Sequence, residues 1–147
     1  MKTKPKKTKY VEWLSAEVMH KASRKWLSEL QFITDEQLFF DDLIKSYTLQ
    51  LIDSKHFENS KKIVEKLSEL QKRNENLINV VKVHENELEI MVDGIDQPNE
   101  EEMYKQKHRD MIVLMSEYFN EYRMLKKRLF DLIKKIIKDE KQKRLLN

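Results

Sequence analysis

From Tyr104 to Ile136 the chain repeats one spacing. Tyr104, His108, Met111, Met115, Tyr118, Tyr122, Leu125, Leu129, Leu132 and Ile136 follow one another at alternating steps of four and three, and nine of these ten positions are apolar or aromatic. No Gly and no Pro interrupts residues 99–143. This is the seam of a long helix packed against other helices. Ile112, Phe119 and Ile133 sit one position further on and widen the seam into a face that touches two neighbours. The same alternation occurs twice more. One set is Trp26, Leu30, Ile33, Gln37, Phe40, Ile44, Tyr47 and Leu51; the other is Ile63, Leu67, Leu70, Asn74, Leu77, Val81, His84, Leu88, Met91 and Ile95.

Between the seams lie the signals that end helices. Ser15 is suited to cap a first helix over residues 15–52, with Tyr10, Val11, Trp13 and Leu14 as a lead-in that folds back on the bundle. Thr34-Asp35-Glu36-Gln37 resembles a capping box, but the heptad passes through Gln37 without a change of phase, so the helix is expected to continue through Thr34. Asp53-Ser54-Lys55 supplies the short polar side chains of a turn. A second helix is expected over residues 56–93, closed by Gly94, which adopts the left-handed conformation after a helix without steric cost. Pro98, Asn99 and Glu102 then mark the start of a third helix over residues 99–143, with Glu100 to Glu102 at the positive end of its dipole and Lys134, Lys135 and Lys138 near the other end.

Long helices joined by short turns lie antiparallel to their neighbours. The expected fold is therefore all-α: an elongated three-helix antiparallel bundle of long, coiled-coil-like helices. Residues 10–147 form it as a single domain, and residues 1–9 are a disordered basic tail. Folding the chain at its two turns puts Gln37 beside Gln71 and Asn74, and His84 beside His108 near Trp26. The polar residues of the seams thus gather in layers, and Gln37, Gln71 and Asn74 are expected to hydrogen-bond to one another or to a Tyr hydroxyl and so fix the register.

Composition narrows the chemistry. With a single Gly, a loop that cradles phosphate is nearly excluded, and with no Cys there is no disulfide, thiolate ligand or Cys nucleophile. The longest apolar run, Met111–Met115, is far short of the ~20 residues that span a bilayer, and no apolar segment follows the basic N-terminus as a signal peptide requires. These features point to a cytoplasmic protein without a membrane span. No Ser-His-Asp arrangement and no paired carboxylates in an apolar setting are present, so no catalytic residue is assigned and no enzymatic activity or cofactor is expected. Charge is unevenly placed. Residues 1–9 carry five Lys and no acid, residues 123–147 carry ten Lys/Arg against three acids, and the net charge of +3 leaves −9 for residues 10–122.

Two patterns touch metal chemistry. Glu17-x-x-His20 resembles half of the ligand set of ferritin-like diiron bundles, but the second pair and the fourth helix are missing. His84 and His108 face each other from two helices and form the better metal candidate, with Glu85, Glu87 or His20 to complete the shell. The architecture also resembles a spectrin-type repeat, which places a Trp in its first helix; fold alone implies nothing about function.

The leading functional expectation is a non-enzymatic bundle that binds another protein, itself included, because Trp13, Phe32, Phe39, Leu114 and Phe130 fall outside the seams. One alternative is nucleic-acid association through the basic ends, with Lys2, Lys4, Lys6, Lys7 and Lys9 as contacts; another is a metal-binding bundle using His84 and His108. Deleting residues 1–9 is expected to leave the melting temperature unchanged, since no side chain after Met1 in that segment is apolar. If that deletion abolishes retention on DNA at low salt, the nucleic-acid alternative takes precedence.

Overall fold

The computed structural model describes residues 15–93 and 98–146, and among these there are four helices and no strand. Helix α1 is Ala16–Ser46, α2 the single turn Thr48–Leu51, α3 Phe57–Asp93 and α4 Pro98–Leu146. Their 31, 4, 37 and 49 residues account for 121 of the chain's 147. Among the described residues no helix is long and apolar enough to cross a membrane. The basic tail with its five lysines, the lead-in at Tyr10–Leu14 and the turn at Gly94 lie outside the described residues.

Ser15 opens α1: its hydroxyl accepts the Val18 amide at 3.3 Å, the bond an N-cap makes to the third helical residue. The helix runs through Thr34 without interruption. It stops at Ser46, six residues before the expected end at 52. The cause is a cluster of hydroxyls that bond back onto the chain. Ser46 Oγ donates to the Asp42 carbonyl at 3.0 Å, and Thr48 Oγ1 lies 3.1 and 2.9 Å from the Ile44 and Lys45 carbonyls. Such bonds compete with the helical ladder. The Tyr47 amide is shared between the Leu43 and Ile44 carbonyls, both at 3.2 Å, and Tyr47 leaves helical geometry at φ −113° and ψ 21°. Helix α4 starts at Pro98, a residue suited to a first turn because it has no amide hydrogen to leave unbonded. It continues three residues past the expected end at 143.

The seams are buried as the spacing demands. All ten positions from Tyr104 to Ile136 are buried, as is every α3 seam position from Ile63 to Leu88. In α1, Leu30, Ile33, Gln37 and Phe40 are buried, while Trp26 and Ile44, and Tyr47 just beyond the helix, are half-buried.

The chain gathers into two compact units, and α1, α3 and α4 each contribute residues to both. The first unit takes its described residues from 15–32, 75–93 and 98–116. Its core includes Met19, Leu88 and Tyr104, with Ala16 and Met91 packed against them. Ser23 is buried there and spends its hydroxyl on the Met19 carbonyl at 2.9 Å.

The second unit takes residues 33–74 and 117–146. Phe40 is its aromatic hub, 5.6 Å from Phe130 in an edge contact and 6.4 Å from Tyr122. One of its layers is polar. Asn74 is buried, and its Nδ2 donates to Thr34 Oγ1 at 2.8 Å. The fully buried Tyr118 hydroxyl has two acceptors for its one hydrogen, the Leu70 carbonyl at 2.8 Å and Asn74 Oδ1 at 3.2 Å. Arg73 lies over the Tyr118 ring at 5.3 Å and pairs with Glu121, whose carboxyl it holds below the usual carboxylate range. Gln71 is only half-buried and donates to Asp41 at 3.0 Å. Gln37 is buried beside the Tyr118 hydroxyl, and its side chain works against the rise that burial imposes on that phenol. Asn74→Ala is expected to cost about 1–3 kcal/mol in urea unfolding, because it empties a buried position and removes two hydrogen bonds, to Thr34 and to Tyr118, from the layer. Gln71→Ala is expected to cost less than about 1 kcal/mol, since water replaces its lost partner. Equal losses would mean that burial does not set the ranking.

Candidate functional site

The most unusual chemistry in the first unit is a pair of histidines where the buried seam of a helix ordinarily holds aliphatic side chains. His84 on α3 and His108 on α4 are 3% and 1% exposed. His84 Nε2 and His108 Nδ1 are 2.9 Å apart, so one donates and the other accepts. Aromatic rings close the pair at both ends. Tyr104, one turn before His108, stacks on His84 with centroids 4.2 Å apart and planes within 4°, and its hydroxyl donates to the His84 carbonyl at 3.1 Å. Trp26 of α1 stacks on His108 at 5.0 Å.

This enclosure sets the protonation state. Burial pulls His84 down to about 4 from its ordinary 6.5, with the Lys107 charge adding to the effect. Burial pulls His108 to about 4 as well, helped by His84 beside it. Stacking on Tyr and Trp favours a cation by about 2 kcal/mol when desolvated, but charging the pair means burying an imidazolium, and that desolvation is the larger effect. Burial likewise pushes the Tyr104 phenol well above its ordinary range, reinforced by Glu85 and Glu87.

The pair lies under a surface groove between α3 and α4. One part of the groove, about 440 Å³, is lined by Val80, Val83, Met111 and His84 with Asn79 and Asp110. The next part, about 250 Å³, is lined by Ile90, Met91, Met103 and Tyr104 with Glu100. Glu87 and Lys107 border both parts and face each other at 3.5 Å. The walls are apolar yet open to water: Val83 is 56% exposed, Ile90 73% and Met103 63%.

Of the residues expected to hold a metal, His84 and His108 meet, each with one nitrogen turned to the other. Glu87 is engaged with Lys107, and His20 Nδ1 pairs with Glu85 at 2.8 Å. Among the described residues no group of three or more His, Cys, Asp or Glu side chains is placed to hold a metal ion. Glu17, the other member of the diiron-like pair, is exposed.

A second ionic cluster went unread in the sequence. Asp139 of α4 accepts from Lys55 at 3.1 Å and is 3.0 Å from His56 Nε2, while Gln50 donates to Glu140 at 2.6 Å. Lys55 first and His56 second hold the Asp139 carboxyl below its usual range. The cluster clasps the turn after α2 to α4 within the second unit, a structural task. Nothing local announces it, because the partners are 83 to 90 positions apart.

The histidine pair makes stability depend on pH with a definite sign. Both groups bind protons less readily folded than unfolded, so their contribution is complete above about 6.5 and is lost as pH falls from there toward 4. The melting temperature is expected to fall between pH 7 and pH 5 more steeply for the wild type than for a His84→Leu, His108→Leu double variant. Zinc is expected to leave the wild-type melting temperature unchanged; a rise absent from the double variant would restore the metal site. In comparisons with known proteins, no family model, curated protein or solved structure matches the chain.

Proposed function

We propose that this chain is a non-catalytic helical-bundle protein that works by binding another protein, with the α3–α4 groove as the contact face. The observation that carries the reading is the exposure of Val83 on one side of the Glu87–Lys107 pair, and of Ile90 and Met103 on the other, along two concave, mainly apolar pockets between α3 and α4. An isolated exposed apolar residue is ordinary; several lining one groove between two helices form the kind of surface into which an amphipathic helix lays its apolar face. We further infer that α1, α3 and α4 pack as a three-helix antiparallel bundle. Within the second unit, Asn74 meets Thr34 whereas Gln71 meets Asp41, so α1 residue numbers rise as α3 numbers fall. Glu36 meets Tyr122 and Phe40 meets Phe130, so α1 and α4 numbers rise together.

Nucleic-acid association is the second reading, favoured by the excess of cations on α4 beyond Arg123. The two readings predict different salt responses and different sensitive residues. Proximity crosslinking in cells, followed by binding of the purified partner, is expected to show at least tenfold weaker association for Val83→Lys, Ile90→Lys with helix content retained. Full binding by that variant overturns the groove as the contact face. Loss of binding only after nuclease treatment favours the second reading.

A further inference from the structure

The last turns of α4 present a face without a counterpart in the seam. Lys127, Phe130, Lys134, Ile137, Lys141 and Leu145 follow one another at steps of three and four, and all are exposed. At about 100° per residue they fall within a sector reaching about 60° to either side of Phe130. No carboxylate falls in that sector: Asp139 points to the opposite side, toward Lys55 and His56, and Asp131 and Glu140 lie beyond its edges. Among the described residues, none of the three lysines takes part in an ion pair. This is a basic amphipathic helix whose outer stripe is half apolar.

The groove of the first unit is its complement in two respects. Val83 and Ile90 on its α3 wall are seven positions apart, and so are Phe130 and Ile137 on the stripe. Both pairs therefore repeat at about 10.5 Å along their helices. The surroundings of the groove are acidic. Residues 75–93 carry five carboxylates against one lysine, and on the α4 wall Glu100 and Asp110 stand against Lys107, which pairs with Glu87. By contrast, residues 117–146 carry ten cations against five carboxylates. Apolar spacing and charge both match, and both surfaces belong to the same sequence.

We propose that the groove's occupant is a second copy of this chain, docked through the Phe130–Leu145 stripe of its α4. The proposal rests on reading the groove as a protein-binding face. The two surfaces are different patches, so the contact is head-to-tail: each copy keeps a groove free for the next, and assembly is open-ended unless the rotation closes a ring. The lysines seat beside Glu100 and Asp110 at the groove edge, where water screens them, so the contact is salt-sensitive.

Sedimentation velocity on the full chain tests this. In about 50 mM salt the weight-average mass is expected to rise with concentration above the monomer's 17.9 kDa, and in about 0.5 M salt to return to it. Lys134→Glu, Lys141→Glu removes the stripe and is expected to be monomeric. Val83→Lys, Ile90→Lys removes the groove and is expected to be monomeric as well. All four positions are exposed, and circular dichroism checks that helix content is kept; Lys134→Gln, Lys141→Gln and Val83→Ser, Ile90→Ser serve if it is not. Mixed one to one, the two variants have one intact stripe and one intact groove between them and are expected to form a dimer that does not grow. A wild type that stays monomeric in low salt overturns the proposal, including when the stripe is found to bind DNA or anionic vesicles. Variants that associate as the wild type does also overturn it, while the protein-binding reading stands on another face. Monomeric variants that fail to reconstitute a dimer overturn it too.

Discussion

A seam between packed helices has little width, and that constraint governs the interior. Each layer of a unit holds few side chains, so a polar group placed in a layer has only its immediate neighbours from which to draw a partner. Two layers meet the requirement in different ways. In the first unit His84 and His108 satisfy each other and are sealed by Tyr104 and Trp26. In the second, Tyr118 and Asn74 recruit the Leu70 carbonyl and Thr34. Tyr122, one turn beyond Tyr118, solves the problem at the seam's edge by donating to Glu36, which Lys126 neutralises at 3.0 Å. Apolar layers tolerate small slips of one helix along another; layers of this kind do not, because a shifted helix strands buried donors and acceptors.

Much of this was legible in the spacing of residues. The alternating steps identified every buried seam position of α4, and polar residues at seam positions pointed to His84, His108 and Asn74. Three things were not legible. The end of α1 depends on where Ser46 and Thr48 aim their hydroxyls, and those residue types occur inside helices as well. Gln71 lies one position outside the seam residue Leu70, and that single step of 100° lets it reach Asp41 at the surface. The histidines form a bond to each other where a metal was the alternative, and residue spacing alone cannot distinguish two imidazoles 2.9 Å apart from two held apart by an ion.

The groove was hidden in the sequence for a related reason. Val80, Val83, Glu87 and Ile90 carry their own three-four-three spacing, offset from the α3 seam, and Met103, Lys107 and Asp110 run beside it on α4. Charged residues interrupt both rows, so neither reads as a seam. Only when the two helices lie side by side do the apolar members line a common channel, with Glu87 and Lys107 joined across it.

Exposure alone does not single out that channel. Phe32 on α1 is as exposed as Met103, and Leu49 and Leu146 are more so. The difference is curvature. A side chain projecting from the crest of one helix offers a partner only its own area, and a partner must enclose it to remove it from water. Side chains on two adjoining helices already bound the space between them on two sides, so an entering helix meets several of them at once. The gain per side chain buried is greater, and less of the entering surface has to be ordered to obtain it. The same geometry explains why His84 belongs at the floor of the groove: a neutral imidazole, bonded to His108 and capped by Tyr104, fills the seam behind it without placing a charge beneath the apolar walls.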